Sequence, residues 1–466
     1  MENRSKNSFI RKFVGDRAFY RMVLSIAVPI MIQNGITNFV GLLDNIMIGR
    51  VGTEQMSGVA IVNQLLFVYS LCLFGAVSGA GIFTAQFFGQ KNNKGIQDTM
   101  RFKLYSVVVI TVLTVLLMLA AGDVLITTYL TGDGSPESAA ATLISGRQYL
   151  LVMLFGLPAF ALSQVYSSTL RECGETVLPM KAGMAAVLVN LIFNYLLIYG
   201  RLGLPRLGVA GAAAATVLSR YVELGIVLFR VHRSGSWPFV RGLCKSLRVP
   251  APLVRNILIK GSPLLLNETL WAAGMAMLTQ CYSIRSLNVV AALNISNTIS
   301  NIFNIVFIAL GDSVAIVIGQ LLGAGKMEEA RDTDTKMIAF SVACCTLMAA
   351  VMFVCSPLFP MLYNTNAEAR LLARNFIMTT AVFMPQNAFL HAAYFTLRSG
   401  GKTIVTFLFD SAFIWIISIP VAAGLSRFTA LPVLGIFIVV QFADTLKCLV
   451  GFILVKKGVW LQNIVS

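Results

Sequence analysis

The chain alternates between long runs without one ionisable residue and short clusters rich in Lys and Arg. Residues 55–90 carry no Asp, Glu, Lys or Arg over 36 positions, 337–367 over 31, 286–311 over 26 and 375–397 over 23. In hydrocarbon every backbone N–H and C=O must be satisfied within its own segment, so runs of this kind predict helices. About 20 apolar residues suffice to cross a bilayer. The pattern predicts twelve such helices, near 22–49, 55–83, 104–122, 143–168, 178–200, 207–229, 261–284, 290–320, 337–360, 375–397, 404–424 and 431–454.

Composition turns that pattern into a fold class. Of 466 residues, 57% are hydrophobic and 12% charged, whereas a soluble domain carries about 45–50% apolar and 25% charged residues. The chain therefore reads as an all-α polytopic membrane protein. Most of the eight cysteines lie in apolar runs, where a thiol behaves as a small hydrophobe. With two histidines and no CxxC spacing, no zinc site is expected. A basic head leads into an apolar segment too long for a signal-peptide core, so no cleavable leader is expected.

Charge then orients the chain. The net charge is +16, and its distribution fits loops at a lipid surface rather than a nucleic-acid partner. With the twelve predicted helices in place, 26 Lys and Arg fall on one side and eight on the other. The heavier side should be cytoplasmic, which places both termini inside. Phe9, Ile10, Phe13 and Val14, spaced helically among basic residues, predict a segment lying along the inner leaflet.

The chain also repeats itself. At a shift of 234, Pro29 meets Pro263, Asn63 meets Asn297, Gln86 meets Gln320, Gly89 meets Gly323 and Asp98 meets Asp332. Further on the shift is 227: Arg147 meets Arg374, Pro158 meets Pro385 and Leu170-Arg171 meets Leu397-Arg398. Two six-helix lobes in one orientation, related by a pseudo-twofold axis along the membrane normal, follow from this pattern. The expected divisions are a basic N-terminal segment at 1–21, an N-lobe at 22–230, a cytoplasmic linker at 231–260, a C-lobe at 261–455 and a tail at 456–466.

Several of these segments carry a resemblance. Pro29 through "LLDNIMIGRVG" at 42–52, "GQKN" at 89–92, "LRECGET" at 170–176 with its twin "LRSGGKT" at 397–403, and "NYLLIYGRLGLPRLGVAGAAAATVLSR" at 194–220 resemble the multidrug and toxic compound extrusion family, closest to its bacterial NorM branch. The likeness spans almost the whole chain. It implies export of bulky, often cationic and amphipathic compounds in exchange for H⁺ or Na⁺, with no cofactor besides the coupling ion.

An acid within a span is costly and marks a candidate site. Asp44 ends a 22-residue charge-free run, and the resemblance places it at the family's N-lobe cation site. Asn190 and Asn194, four apart on one helix face, and Thr216 match the further positions of that site. Some members have Asp where this chain has Asn194. One carboxylate with amide and hydroxyl oxygens suits a hard monovalent cation if Na⁺ is the coupling ion. Glu268 follows Pro263 by five residues, about one turn before the position, here Trp271, where the NorM pattern has its glutamate. Asn387 stands where that pattern has an aspartate, which weighs toward H⁺ over Na⁺.

Other polar groups are candidates for a substrate cavity. His391 lies one turn from Asn387 and titrates near physiological pH when unperturbed. Asp410 sits among Phe409, Phe413 and Trp415, a setting suited to a cationic guest. Asn63 and its repeat partner Asn297 complete the set. Asp444 with Lys447, and Arg220 with Glu223, are spaced i,i+3 and are expected to pair within their own helices. An antiporter is the leading functional expectation. A flippase for lipid-linked oligosaccharide or polysaccharide is the alternative of related architecture, although the intramembrane acids favour cations. An enzyme would need a nucleophile–base or metal constellation, which the sequence does not display.

Overall fold

The computed structural model describes residues 12–130, 136–243, 246, 248–284, 286–363 and 365–466. Phe9 and Ile10, and the basic residues Arg4, Lys6, Arg11, Lys245 and Arg285, lie outside them. Phe13 and Val14 are exposed. Among the described residues the regular structure is helical: α1 Arg17–Gly49, α2 Thr53–Gly89, α3 Asn93–Thr128, α4 Pro136–Leu154, α5 Leu157–Glu172, α6 Val177–Tyr199 and α7 Val209–Ser234. Then come α8 Ala251–Ser283, α9 Leu287–Gly323, α10 Met327–Cys355, α11 Ala367–Ser399, α12 Thr403–Phe428 and α13 Val433–Lys457.

Helices α4 and α5 form one span bent by 49°, so the described residues hold twelve long helical segments, ten of them long and apolar enough to cross a membrane by length and composition. The bend has a local cause. Pro158 occupies the first turn of α5, beyond Gly156 at its N-cap, and a prolyl ring can neither donate to the preceding turn nor pack against it. Its repeat counterpart Pro385 lies inside the continuous helix α11, as Pro29 and Pro263 lie inside α1 and α8. The same residue type thus breaks one span and is absorbed in three others.

Many helices run past the predicted limits because polar turns extend them. Asn92 caps α3, its Oδ1 accepting from Gly95 N at 3.0 Å, so the helix starts at Asn93 rather than near 104. Asn366 caps α11 in the same way, through Ala369 N at 2.8 Å. At the other end of α6, Gly200 takes φ +67° and closes the helix in the left-handed conformation.

The chain divides into two compact units. The N-terminal unit comprises 32–84 and 92–258; the C-terminal unit comprises 1–31, 85–91 and 259–466. Helices α1 and α2 therefore each contribute to both. In the N-terminal unit, buried Val62 and Leu73 of α2, Met100 and Val107 of α3, Val165 of α5, Ile198 of α6, and Ala213 and Val227 of α7 form the interior. In the C-terminal unit, Ile26 and Ile30 of α1 join Leu310, Val314 and Ile318 of α9, Leu397 of α11 and the fully buried Trp460. A second cluster gathers Val289, Phe376, Ile414 and Ile436, and a third Phe303, Cys345, Met352 and Ile377.

Apolar side chains also cover the outside. Leu113, Leu116 and Leu117 of α3 are more than half exposed; leaving each in water rather than in an apolar phase would cost about 1.5–3 kcal/mol. Hydrocarbon is the solvent that such a surface fits. Two basic residues assigned to loops by the sequence reading prove internal. Lys103 is fully buried, bound to Glu172 and to Thr169 Oγ1 at 3.3 Å. Arg101 holds Asp98 at 2.9 Å and donates to the carbonyls of Leu243 at 3.0 Å and Gly242 at 3.1 Å. These two cations satisfy protein acceptors instead of facing lipid headgroups.

Candidate functional site

The first helix brings Asp44 against α6 in the N-terminal unit. Asn194 Nδ2 donates to Asp44 Oδ1 at 2.5 Å. Asn190, one turn earlier and like Asn194 buried, meets Thr216 Oγ1 of α7 at 3.1 Å. The Thr216 hydroxyl is itself spent on the Ala212 carbonyl at 3.0 Å, so Asn190 must donate to it. Asn194 Nδ2 then also reaches Asn190 Oδ1 at 3.1 Å.

That arrangement points the Asn190 oxygen at the carboxylate, 3.1 Å from Oδ1 and 3.3 Å from Oδ2 of Asp44. Turning the amide over lets its nitrogen donate to both carboxylate oxygens, but it then lies 3.1 Å from the nitrogen of Asn194, donor against donor. Neither orientation satisfies every group around an ionised Asp44. A proton on Asp44 resolves the first, since the acid then donates to Asn190. Among the described residues, Asn194 Oδ1 is buried without a hydrogen-bond partner. In the first orientation the oxygens gathered at Asp44 outnumber the hydrogens offered to them; in the second, two amide nitrogens face each other.

These four residues adjoin a cavity of about 400 Å³ within the N-terminal unit, lined by Asp44, Asn194 and Thr216 together with Asn63, Tyr149 and Arg220 and walled by Phe67, Tyr69 and Phe160. Asn63 accepts from Tyr149 Oη at 3.2 Å. Asp44, Asn190, Asn194 and Thr216, selected together from sequence, lie together here, and Asn63, selected separately as a cavity candidate, lines the same cavity. Arg220 was read only as the partner of Glu223. It does contact Glu223, at 3.3 Å, but it also lines the cavity. Its spacing of four from Thr216 on α7 is the signal that places both on one face.

The C-terminal unit holds the other candidates. Helix α12 contains two π-helical turns, Leu408–Ala412 and Ile414–Ser418, and Asp410 sits in the first. Lys447 of α13 donates to Asp410 Oδ1 at 2.6 Å, and the buried Asn267 of α8 donates to Oδ2 at 3.2 Å. Asn267 in turn accepts from Ser411 Oγ at 2.7 Å. The expected pairing of Lys447 with Asp444 is therefore corrected. The wider π turn carries Asp410 to Lys447 across the helix boundary, and the acid that the reading left open for a guest has an internal counter-ion. The ammonium also lies 5.4 Å from the Phe409 ring, and Trp415 Nε1 is committed to the Leu270 carbonyl at 2.9 Å.

Glu268 is half-buried, hydrogen-bonds with Tyr394 and interacts electrostatically with Arg398, Asp410 and Asp312. His391 stands between Phe307 and Phe395, ring centroids 5.2 and 5.0 Å away, and its Nε2 has no hydrogen-bond partner among the described residues. Asn387 is half-buried and Asn297 exposed. Asn267, which joins Asp410 to Ser411, was not singled out from sequence; its position beside Glu268 was the available signal.

Comparison with known proteins adds the following. A family model described as MatE matches residues 29–196 and 263–423. The probable multidrug resistance protein NorM of Thermotoga maritima is 26% identical over 440 residues, 92% of this chain and 91% of the relative. The multidrug resistance protein MdtK of Pectobacterium atrosepticum is 24% identical, covering 86% of each. Among solved structures, an outward-facing multidrug resistance transporter of the MOP superfamily superposes with a TM-score of 0.85 at 19% identity, over 96% of this chain and 97% of that one. A MOP superfamily transporter from Pyrococcus furiosus does so at 0.84 and 18%, over 96% and 97%.

Proposed function

The chain belongs to the MatE family, and from that membership and the Asp44 cluster we propose that it is a cation-coupled antiporter. It exports bulky, often cationic amphipaths across the cell's inner membrane by alternating access, with both termini in the cytoplasm. The relatives named as multidrug resistance proteins support the class of cargo. One observation carries the coupling. Around Asp44, Asn190, Asn194 and Thr216 neither amide orientation satisfies an ionised acid, so the cluster is completed by an added proton or Na⁺.

The cavity lies against this cluster, sharing Asp44, Asn194 and Thr216 with it. Coupling follows by linkage: a cation that neutralises Asp44 weakens binding of a positively charged guest, and the guest weakens binding of the cation by the same factor. Moving one charge through 100 mV supplies about 2.3 kcal/mol, enough to drive accumulation some tens of times over. In the C-terminal unit, Glu268, His391, Asn387 and Asn297 are secondary candidates for cargo or proton contact. Asp410, held by Lys447, keeps that unit's helices together.

The test is ethidium efflux from cells lacking their own pumps. Wild type lowers dye accumulation, and Asp44→Asn at equal membrane abundance does not. Collapsing the proton or the sodium gradient in turn identifies the ion. If neither protein moves any cationic dye, the flippase reading moves ahead.

A further inference from the structure

A buried acid of the C-terminal unit has no part in the coupling proposed above. Asp334 stands near the start of α10, just before the apolar run that begins at 337, and is 1% exposed. Ala330 and Met337 flank it on the buried face of its own helix. With Ala392, Ala393 and Leu397 of α11 and with Trp460, they belong to one apolar cluster. The polar neighbour of the acid is Thr396, whose Oγ1 lies 2.6 Å from Asp334 Oδ1. Among the described residues, Asp334 Oδ2 is buried without a hydrogen-bond partner.

No counter-ion stands beside it. Helices α9 and α11 pack against α10, and α1 reaches it through Tyr20 and Phe340. The charged groups of these elements are engaged elsewhere. On α10 itself Asp332 holds Lys336 at 2.5 Å, and the Arg331 guanidinium lies beside Gly458. Arg398 of α11 stacks on the Phe395 ring at 5.2 Å and, with Asp312 of α9, acts on Glu268. His391 is held between its two phenylalanines, and Arg17 and Arg21 of α1 are exposed. Among the described residues none of these cations makes an ion pair with Asp334.

The hydrogens around the acid do not suit a carboxylate either. The Thr396 hydroxyl has one hydrogen, and two oxygens claim it: Asp334 Oδ1 and the Ala392 carbonyl at 3.0 Å, one turn back on α11. With that hydrogen on Ala392, the bond a helical threonine makes to its own preceding turn, two bare oxygens would face each other at 2.6 Å. A proton on the acid removes the conflict. Asp334 then donates to Thr396, Thr396 donates to Ala392, and no unpaired charge is buried. A metal ion fits the same place poorly, because one carboxyl, one hydroxyl and one carbonyl are fewer oxygens than a hard cation gathers.

We propose that Asp334 is a second proton-binding site, separate from the Asp44 cluster, and that packing of α10 on α11 takes up its proton. The proton comes from bulk water and bonds to a carboxylate oxygen; when the two helices part, water enters and the proton returns to it. On the orientation proposed above, this end of α10 faces the cytoplasm, which is then the compartment the site exchanges with. The binding itself does not depend on that reading.

The experiment compares wild type with Asp334→Asn and Thr396→Val, each as the purified full-length protein in detergent. Asparagine has the shape of the protonated acid and can donate to Thr396 as it does. In infrared spectra at neutral pH, wild type should show a C=O band of a protonated carboxyl that Asp334→Asn lacks and that Thr396→Val shifts. Unfolding in mixed SDS micelles gives the second readout. The unfolded chain ionises this acid above about pH 4, while the native state keeps the proton, so stability falls as pH rises. Between about pH 5 and 8, the unfolding constant of wild type relative to Asp334→Asn should therefore grow by up to about tenfold per pH unit. Identical infrared spectra for these two proteins overturn the proposal, as do parallel stability profiles. So does stabilisation of wild type by NaCl that Asp334→Asn lacks, which would make the ligand a metal ion. If Asp334→Asn does not fold, the Thr396→Val spectrum decides, and an unshifted band overturns the site. No cargo enters these measurements. Their failure leaves the Asp44 reading standing, and failure of ethidium export leaves Asp334 assigned.

Discussion

Gly89 at the end of α2 lies directly against the main-chain carbonyl of Gln320 in α9, and Gly323 lies in the same way against the carbonyl of Gln86. The two contacts are reciprocal, and the residues are repeat partners in the sequence: 86 with 320, and 89 with 323. Neither site has room for a Cβ. The obstacle in each case is backbone, which cannot rotate aside as a side chain can. Gly89→Val or Gly323→Val must therefore push the helices apart, with an expected cost of about 1–3 kcal/mol or more. Melting in detergent should show a clear fall for either variant. Gly225→Ala, at an open helical position, should be neutral or slightly stabilising. Equal melting temperatures for all three would show that the crossing is not tight.

Gln86 has a second role at this end of the C-terminal unit. Its amide donates to the carbonyls of Ser399 at 3.0 Å and Gln462 at 3.2 Å, and its oxygen accepts from Ile464 N at 2.8 Å. One side chain thus ties down the last residues of the chain next to the buried Trp460. Gln86→Ala removes the hydrogen bond to one buried and two partly buried backbone groups, each worth about 1 kcal/mol. The tail should then exchange its amide hydrogens faster. Hydrogen exchange over 460–466, compared with wild type, is the measurement, and unchanged protection there would refute the tether.

Replacing Asn194 by Asp places a second carboxylate within hydrogen-bonding distance of Asp44, where Asn194 Nδ2 now lies 2.5 Å from Oδ1. Two like charges that close cannot both stay ionised without a counter-ion. The Asn194→Asp variant should therefore gain a Na⁺ dependence of stability that wild type shows weakly or not at all. Its melting temperature should rise on exchanging choline chloride for NaCl, following the linkage expected of a ligand bound only by the native state. A variant indifferent to Na⁺ would remove Asn194 from the cluster's ion-binding face.

How much of this was legible beforehand differs between the two units. Long apolar stretches, four of them wholly free of charge, anticipated the long helical segments among the described residues, because the bilayer imposes a length and a composition on each span. Asp44, Asn190, Asn194 and Thr216 were found as a group because a helical repeat of four and a resemblance converged on them. What escaped was whatever depends on non-helical geometry or on contacts between helices. The π-helical turn at Leu408–Ala412 has no sequence signature, so Lys447 was assigned to its i−3 neighbour Asp444 instead of to Asp410. Arg101 and Lys103 were counted as surface charges because burial of a cation depends on its acceptors, here a linker carbonyl and Glu172, far away in the chain. Arg220 was explained by Glu223 alone, although its spacing of four from Thr216 already placed it on the face of α7 that lines the cavity.

The linker contact yields its own prediction. Arg101 donates to the carbonyls of Gly242 and Leu243, and Gln97 to those of Phe239 at 3.2 Å and Arg241 at 3.1 Å. Four successive bonds from one helix start hold the segment that follows α7. Arg101→Ala removes two of them and should leave Asp98 without its cation, so trypsin should cleave after Arg241 faster than in wild type while the helical content stays the same. Equal cleavage rates would mean that the linker is held by other contacts.

The pair Asp410–Lys447 offers the sharpest energetic test. Lys447→Met leaves a largely buried carboxylate with Asn267 as its other hydrogen-bond partner among the described residues, and breaking a buried ion pair by removing one member costs about 3–5 kcal/mol. Asp410→Asn strands the ammonium at a similar cost. The double variant removes both charges together, and it should recover most of the loss, because much of each single penalty is an uncompensated charge rather than a missing contact. Asp444→Asn combined with Lys447→Met should show a weaker coupling, since Asp444 makes no ion-pair contact with Lys447 among the described residues. A thermal double-mutant cycle on both pairs decides between them. Strong coupling at Asp444 and none at Asp410 would return Lys447 to its own helix and undo the assignment made from the 2.6 Å contact.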